Sequence, residues 1–159
     1  MAENGSLRFP IVRIEVRLKV GDSLMAASDD PLFIGLRGGS GREFRLALSH
    51  GRSLRRRAED RYVLAPPGES NVAHAEFNDP TSPQLEAESV ESVYLRKGFE
   101  PIPNVRAVGE LDDRLEIVEA EVEIHADGLA KPNRFFRRGP IWLGLVSGLR
   151  FELPSLDAG

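Results

Sequence analysis

The chain has 159 residues, no cysteine and a formal net charge of −4. That length buries roughly 70% of the surface an unfolded chain exposes, so one core needs no staples, and the lack of cysteine excludes disulfides, thiolate metal sites and a cysteine nucleophile. No stretch approaches the ~20 apolar residues of a membrane span, and residues 1–10 carry no apolar core of signal-peptide length; the expected setting is soluble and cytoplasmic.

In chain order, IVRIEVRLKV (11–20) sets Ile14, Val16, Leu18 and Val20 against Arg13, Glu15, Arg17 and Lys19. Period two gives a strand with one dry and one charged face. PLFIGLR (31–37) is apolar on both parities and predicts a strand covered on both sides. Gly-Gly-Ser-Gly then turns the chain into REFRLAL (42–48), because glycine reaches positive φ without strain. SHGRSLRRRAED (49–60) reads as a polar connection with room for a helical turn. RYVLA (61–65) resumes a strand that Pro66, Pro67 and Gly68 stop. SNVAHAEF (70–77) reads as a weaker strand, 78–89 as loop, VESVYLRK (90–97) as strand and 97–113 as a long loop.

RLEIVEAEVEIHA (114–126) is the second clear alternation, with Val118, Ala120, Val122 and Ile124 on one face and Glu119, Glu121 and Glu123 on the other. β-Branched residues dominate the inward set, which favours strand over helix. RFFRR (134–138), IWLGL (141–145) and LRFEL (149–153) complete the series. Many short strands punctuated by Gly and Pro predict an all-β antiparallel sandwich with two sheets of about four strands, one domain over 11–153 between tails 1–10 and 154–159.

With these pieces placed, the order of elements resembles a PLAT/LH2 domain, the β-sandwich module of lipoxygenases, polycystins, lipases and clostridial alpha-toxins. VRLKVGDSLMAASDDPLFIGLRG (16–38) carries most of the resemblance: Gly21-Asp22 stands at the family's Gly-Asp, Ala27-Ser28-Asp29 is similar to its Gly-Thr-Asp, and Leu32 to Gly38 resembles its second strand. AEDRYVL (58–64) resembles a Gly-x-x-Asp-x-Phe strand through Asp60 and Tyr62. VESVYL (90–95) and LEIVEAEVEI (115–124) resemble two later strands. The sequence departs where the family shows tryptophan before the last of these; Asp113-Arg114-Leu115 sits there, and Trp142 is left to fill the terminal aromatic position.

The resemblance makes Asp22, Asp29 and Asp60 neighbours at one end of the sandwich and implies candidate calcium ligands there. A hard cation takes six to eight oxygens; the same residue types also make local turn bonds to backbone. Asp112-Asp113 is a lesser candidate. Arg52, Arg55, Arg56 and Arg57 form a cluster suited to phosphates or an acidic partner, with Glu59 and Asp60 placed to offset it. RFFRRGPIW (134–142) interleaves Phe136, Arg137 and Arg138 as a partner- or membrane-facing edge, while one phenylalanine and Trp142 are expected in the core.

Charge is uneven: residues 1–62 carry twelve bases against eight acids, 63–133 five against fifteen, and 134–159 four against two. The acidic middle third argues against nucleic-acid binding, which wants a dominant basic face. His50, His74 and His125 lack metal-ligand spacing, and GLRGGSG (35–41) lacks the ending of a P-loop. The expected function is a non-catalytic binding module docking a protein or lipid surface through loops at one end, with no required cofactor. The alternatives are an assembly component of a larger particle, which includes a homo-oligomer, and a small-molecule hydrolase.

Overall fold

The stretch IVRIEVRLKV forms strand β1, Ile11–Val20, and the side chains of Ile14, Val16, Leu18 and Val20 are buried. The computed structural model describes residues 7–21, 31–39, 41–51, 54–98, 115–144 and 148–156. Seven further strands follow: β2 Leu32–Arg37, β3 Arg42–Arg45, β4 Glu59–Leu64, β5 Ser92–Lys97, β6 Leu115–Ala126, β7 Asn133–Leu143 and β8 Arg150–Leu153. Among the described residues there is no α-helix, only 3-10 turns at Ala75–Phe77 and Ala87–Ser89.

The strands make two antiparallel four-stranded sheets, ordered β4-β1-β6-β7 and β3-β2-β5-β8, as the alternation predicts. Their inward residues meet in one core. Ile14, Leu18, Ile34, Phe44, Tyr62 and Leu95 are among its fully buried members. Each such apolar side chain contributes about 1.5–3 kcal/mol over leaving it exposed.

Both flanks of the sandwich are closed, which blunts the free strand edges. On one flank the segment after β4 runs from one sheet to the other. The Val63 N–H donates to Asn71 Oδ1 at 2.7 Å and Asn71 Nδ2 donates to Arg61 O at 2.8 Å, so one side chain stands in for a neighbouring strand. Farther on, the Ala73 N–H donates to Ala47 O (2.8 Å) and the Arg45 N–H to Asn78 Oδ1 (2.7 Å). On the other flank Gly144 and Gly148 exchange backbone bonds at 2.9 Å between β7 and β8, and the Phe136 N–H donates to Pro154 O at 3.0 Å.

This flank bridge replaces the strand expected at 70–77. Only Val72 makes a strand-type bridge, to Leu48. His74, expected to alternate within a strand, sits instead in the left-handed region with φ 53°. The polar groups of Asn71 and Asn78 are spent on capping two edges, which a regular strand would not allow. The two short strands expected at 134–138 and 141–145 are one continuous strand, β7.

Val118 also departs from its expected place. The register of β1 to β6 steps from Lys19↔Glu119 to Val20↔Ile117, so Val118 is an extra residue on β6. Such a bulge flips the inside-outside phase. Ala120, Val122 and Ile124 stay buried as expected, Val118 is 38% exposed, and Leu115 and Ile117 take over the inward positions.

Candidate functional site

The strand directions place four connections at one end of the sandwich. β1 and β7 finish there, β4 and β6 begin there, and in the second sheet β3 and β5 finish while β2 and β8 begin. Their stems are stitched together: Val20 N–H to Ala58 O at 2.8 Å, Gly21 N–H to Glu116 O at 2.9 Å, Arg57 N–H to Gly21 O at 3.0 Å and Gly98 N–H to Pro31 O at 2.6 Å. Asp22, Asp29, Arg52 and Asp112-Asp113, with most of the loop expected at 97–113, lie outside the described residues.

Asp60 is inside them and turns inward. It is 7% exposed, and its Oδ2 accepts from the Leu54 N–H at 2.7 Å and the Tyr62 O–H at 3.2 Å. Those bonds fix the turn that carries Arg55, Arg56 and Arg57. Leu54 and Arg57 hold φ of 60° and 63° without being glycine, a strained pair that a surrounding network must impose. Arg56 and Arg57 are exposed and Arg55 half-buried.

Phe136, Arg137 and Arg138 lie elsewhere. They sit on β7, at the opposite edge of the same sheet from β4, three strand spacings or roughly 14 Å away. Arg138 lies over the half-buried Phe136 ring, 5.8 Å from its centre, and reaches Glu119 at 3.8 Å. Arg137 points to the other side, over Phe151 at 5.2 Å. Trp142, expected in the core, is half-exposed opposite Glu116, while Phe135 takes the core position at 7% exposure.

Two features depend on strand register and show only in the fold. On the outer face of the β4-β1-β6-β7 sheet, register sets Arg13, Glu15, Arg17 and Lys19 opposite His125, Glu123, Glu121 and Glu119. Glu15, Glu123 and His125 bring ligand-type atoms within 4.8 Å of one another, with His125 Nε2 3.4 Å from Glu15 and 3.3 Å from Glu123. The buried member is already neutralised: Arg13 Nε lies 2.8 Å from Glu15 and Arg61 donates to it twice. Burial pushes the Glu15 carboxyl up, and the bonds from Arg61 and Arg13 more than reverse this, so it ends below its ordinary value. The arrangement is an ion-pair lattice.

The second feature covers the outer face of the other sheet. The Tyr94 ring occupies the space over Gly35, where a Cβ would come within 2.0 Å of it. That explains why β2 needs no second layer: outward Phe33 and Gly35 are covered by side chains of β5. Glu43 accepts from the Tyr94 O–H at 2.8 Å and from Arg96 at 2.8 and 2.9 Å. The Arg96 bonds are the main reason the Glu43 carboxyl titrates low. Burial, then the bond to Glu43, raises the Tyr94 phenol to about 12. A depressed carboxyl contributes stability that is complete above the unfolded value of ~4.3 and lost as pH falls through the folded value. Glu43→Gln is therefore expected to be less stable than the parent at pH 7, with the gap closing toward pH 2–3, as checked by urea midpoints across that range.

No family model matches the chain, and no curated protein matches it. Solved structures do. The alpha-toxin of Clostridium absonum superposes over 95% of this chain with a TM-score of 0.59 at 13% identity, and that of an avian strain of Clostridium perfringens over 96% with 0.58 at 11%. Coral 8R-lipoxygenase, for which calcium activation via a C2-like domain is described, superposes over 91% with 0.52 at 12%. The chain spans 34% of the toxin chains and 17% of the lipoxygenase. The likeness is to a PLAT/C2-like part of these longer chains. The chain therefore has the two-sheet fold of a PLAT/LH2-type domain.

Proposed function

We propose that the chain is a binding module that docks a lipid or protein surface through the loop end of its sandwich. The observation that carries this reading is the gathering of four connections at one end, one of which, β3–β4, includes a strained turn that holds Arg56 and Arg57 in solvent. The likeness to coral 8R-lipoxygenase supports it. Calcium belongs to the same reading as a ligand of Asp22 and Asp29. Asp60 is a poor third ligand, since its Oδ2 already accepts two bonds and leaves at most Oδ1 for an ion.

Co-sedimentation with phosphatidylserine and phosphatidylcholine vesicles, in calcium and in chelator, tests the lipid form. Each basic residue near an anionic bilayer contributes about 1 kcal/mol. Replacing Arg55, Arg56 and Arg57 together by Gln is expected to weaken binding to the anionic vesicles at least tenfold. Unchanged binding in that variant, with a loss on Phe136→Ala or Arg138→Gln, would move the docking surface to the β7 edge.

A further inference from the structure

We propose that the outer face of the β3-β2-β5-β8 sheet, where Arg37 and Arg150 lie over Tyr94, docks an acidic peptide segment of a partner protein. The inference goes beyond loop-end docking and uses a different surface. Among the described strand residues, all four cations of this face are arginines, Arg37, Arg45, Arg96 and Arg150, and its carboxylates are Glu43 and Glu152. Glu43 takes Arg96 in two bonds. Glu152 Oε1 alone serves both Arg150, at 3.0 Å, and Arg37, at 3.7 Å. Cationic charge is left over at Arg37, Arg150 and the exposed Arg45.

The cations are held in place. Arg150 lies 4.4 Å and Arg37 5.6 Å from the centre of the Tyr94 ring, and Arg96 4.4 Å from that of Phe33. A guanidinium stacked on a ring keeps its N–H edges for carboxylates and loses little freedom when they arrive. A glycine inside a strand weakens it; at Gly35 that cost makes room for the Tyr94 ring. Tyrosine and arginine without lysine is the composition of energetic centres in protein interfaces. The other sheet's outer face, by contrast, ties its charges together across β1, β6 and β7.

The acidic peptide is the occupant the chemistry selects. Membrane docking adds apolar side chains that insert; among the described residues, the exposed large apolar ones are Val12 and Val118 on the other sheet and Leu7, Phe77 and Leu156 outside the strands. A nucleic acid presents a phosphate about every 1.7 Å of duplex, more than a small surplus of arginines matches.

The test is an NMR titration of the 15N-labelled chain with a decapeptide of alternating glutamate and serine, a lysine-serine decapeptide as control, and phosphatidylserine vesicles in a separate arm. The expected result is amide shifts confined to residues 33–37, 43–45, 92–96 and 150–152 with the acidic peptide alone, weakening with salt. Arg37→Gln with Arg150→Gln should reduce affinity at least tenfold. Arg45→Gln, whose side chain is exposed, should reduce it about threefold and guards against misfolding of the double variant. Shifts centred on Arg55–Arg57, equal binding of the basic peptide, or affinity unmoved by either variant would overturn the assignment. So would the same shifts arising from concentration alone, which make the occupant a second copy, or from vesicles without any peptide effect.

Discussion

Asp60→Ala is expected to destabilise the sandwich by about 2–4 kcal/mol in urea denaturation. The buried Leu54 N–H loses its only acceptor among the described residues, at 2.7 Å, and the Tyr62 O–H loses a partner at 3.2 Å. A buried donor left unsatisfied costs about 1–3 kcal/mol. The Leu54–Ala58 turn then also loses the tie that holds two non-glycine residues at positive φ, each a strain of about 1–3 kcal/mol that persists only under such constraint. Asp60→Asn keeps an acceptor and should cost less, and Tyr62→Phe, which spares the 2.7 Å bond to Leu54, should also cost less than Asp60→Ala. A loss below about 0.5 kcal/mol for Asp60→Ala would mean that the carboxylate is free for other work, including an ion. The expected order bears on function as well. If Asp60 shapes the arginine turn, calcium dependence is cleanly tested at Asp22 and Asp29, and Asp60 variants should lose vesicle binding with or without calcium.

The strands were legible where one physical signal acted alone. β1 was read at its observed limits, because its outward residues are all charged and its inward ones all aliphatic from Ile14 on. β6 was read to within one residue for the same reason. The reading failed where a residue's position depends on a partner strand. Val118 is as aliphatic as Val122, and only the pairing with β1 reveals that it is supernumerary. Asn71 and Asn78 look like ordinary loop residues until two strand edges are found unpaired beside them. The candidate surfaces show the same limit. The arginine turn was visible as a run of like residues, whereas Glu15 became notable only when register set it among Arg13, Arg61 and His125. Gly35 carries a signal of its own: a glycine inside an otherwise apolar strand marks a close approach, and Tyr94 is what approaches.

Gly139→Ala is expected to cost about 3 kcal/mol, because the new methyl has no direction in which to yield. An ideal Cβ there would sit 2.3 Å from Ile117 O and 2.6 Å from Ile141 N, both backbone atoms. At Gly35 the obstructing atoms belong to a ring that can swing into solvent; at Gly139 they belong to the sheet. Overpacking by a single methylene-sized group typically costs about 1–3 kcal/mol, and the rigid neighbours put this case at the upper end. The alternative to strain is a slip of β7 against β6, whose register already shifts between Ile117↔Ile141 and Glu119↔Arg138. A one-residue slip turns every side chain to the other face, which would expel Leu143, now 1% exposed, from its place beside Leu115. Both routes lose stability, and hydrogen exchange tells them apart: strain speeds exchange locally at Ile117 and Ile141, whereas a slip speeds it along the whole upper half of β7. Val118→Ala, on the same bulge but 38% exposed, should cost under about 1 kcal/mol. Losses under about 1 kcal/mol at both positions would show that the bulge tolerates a side chain at Gly139.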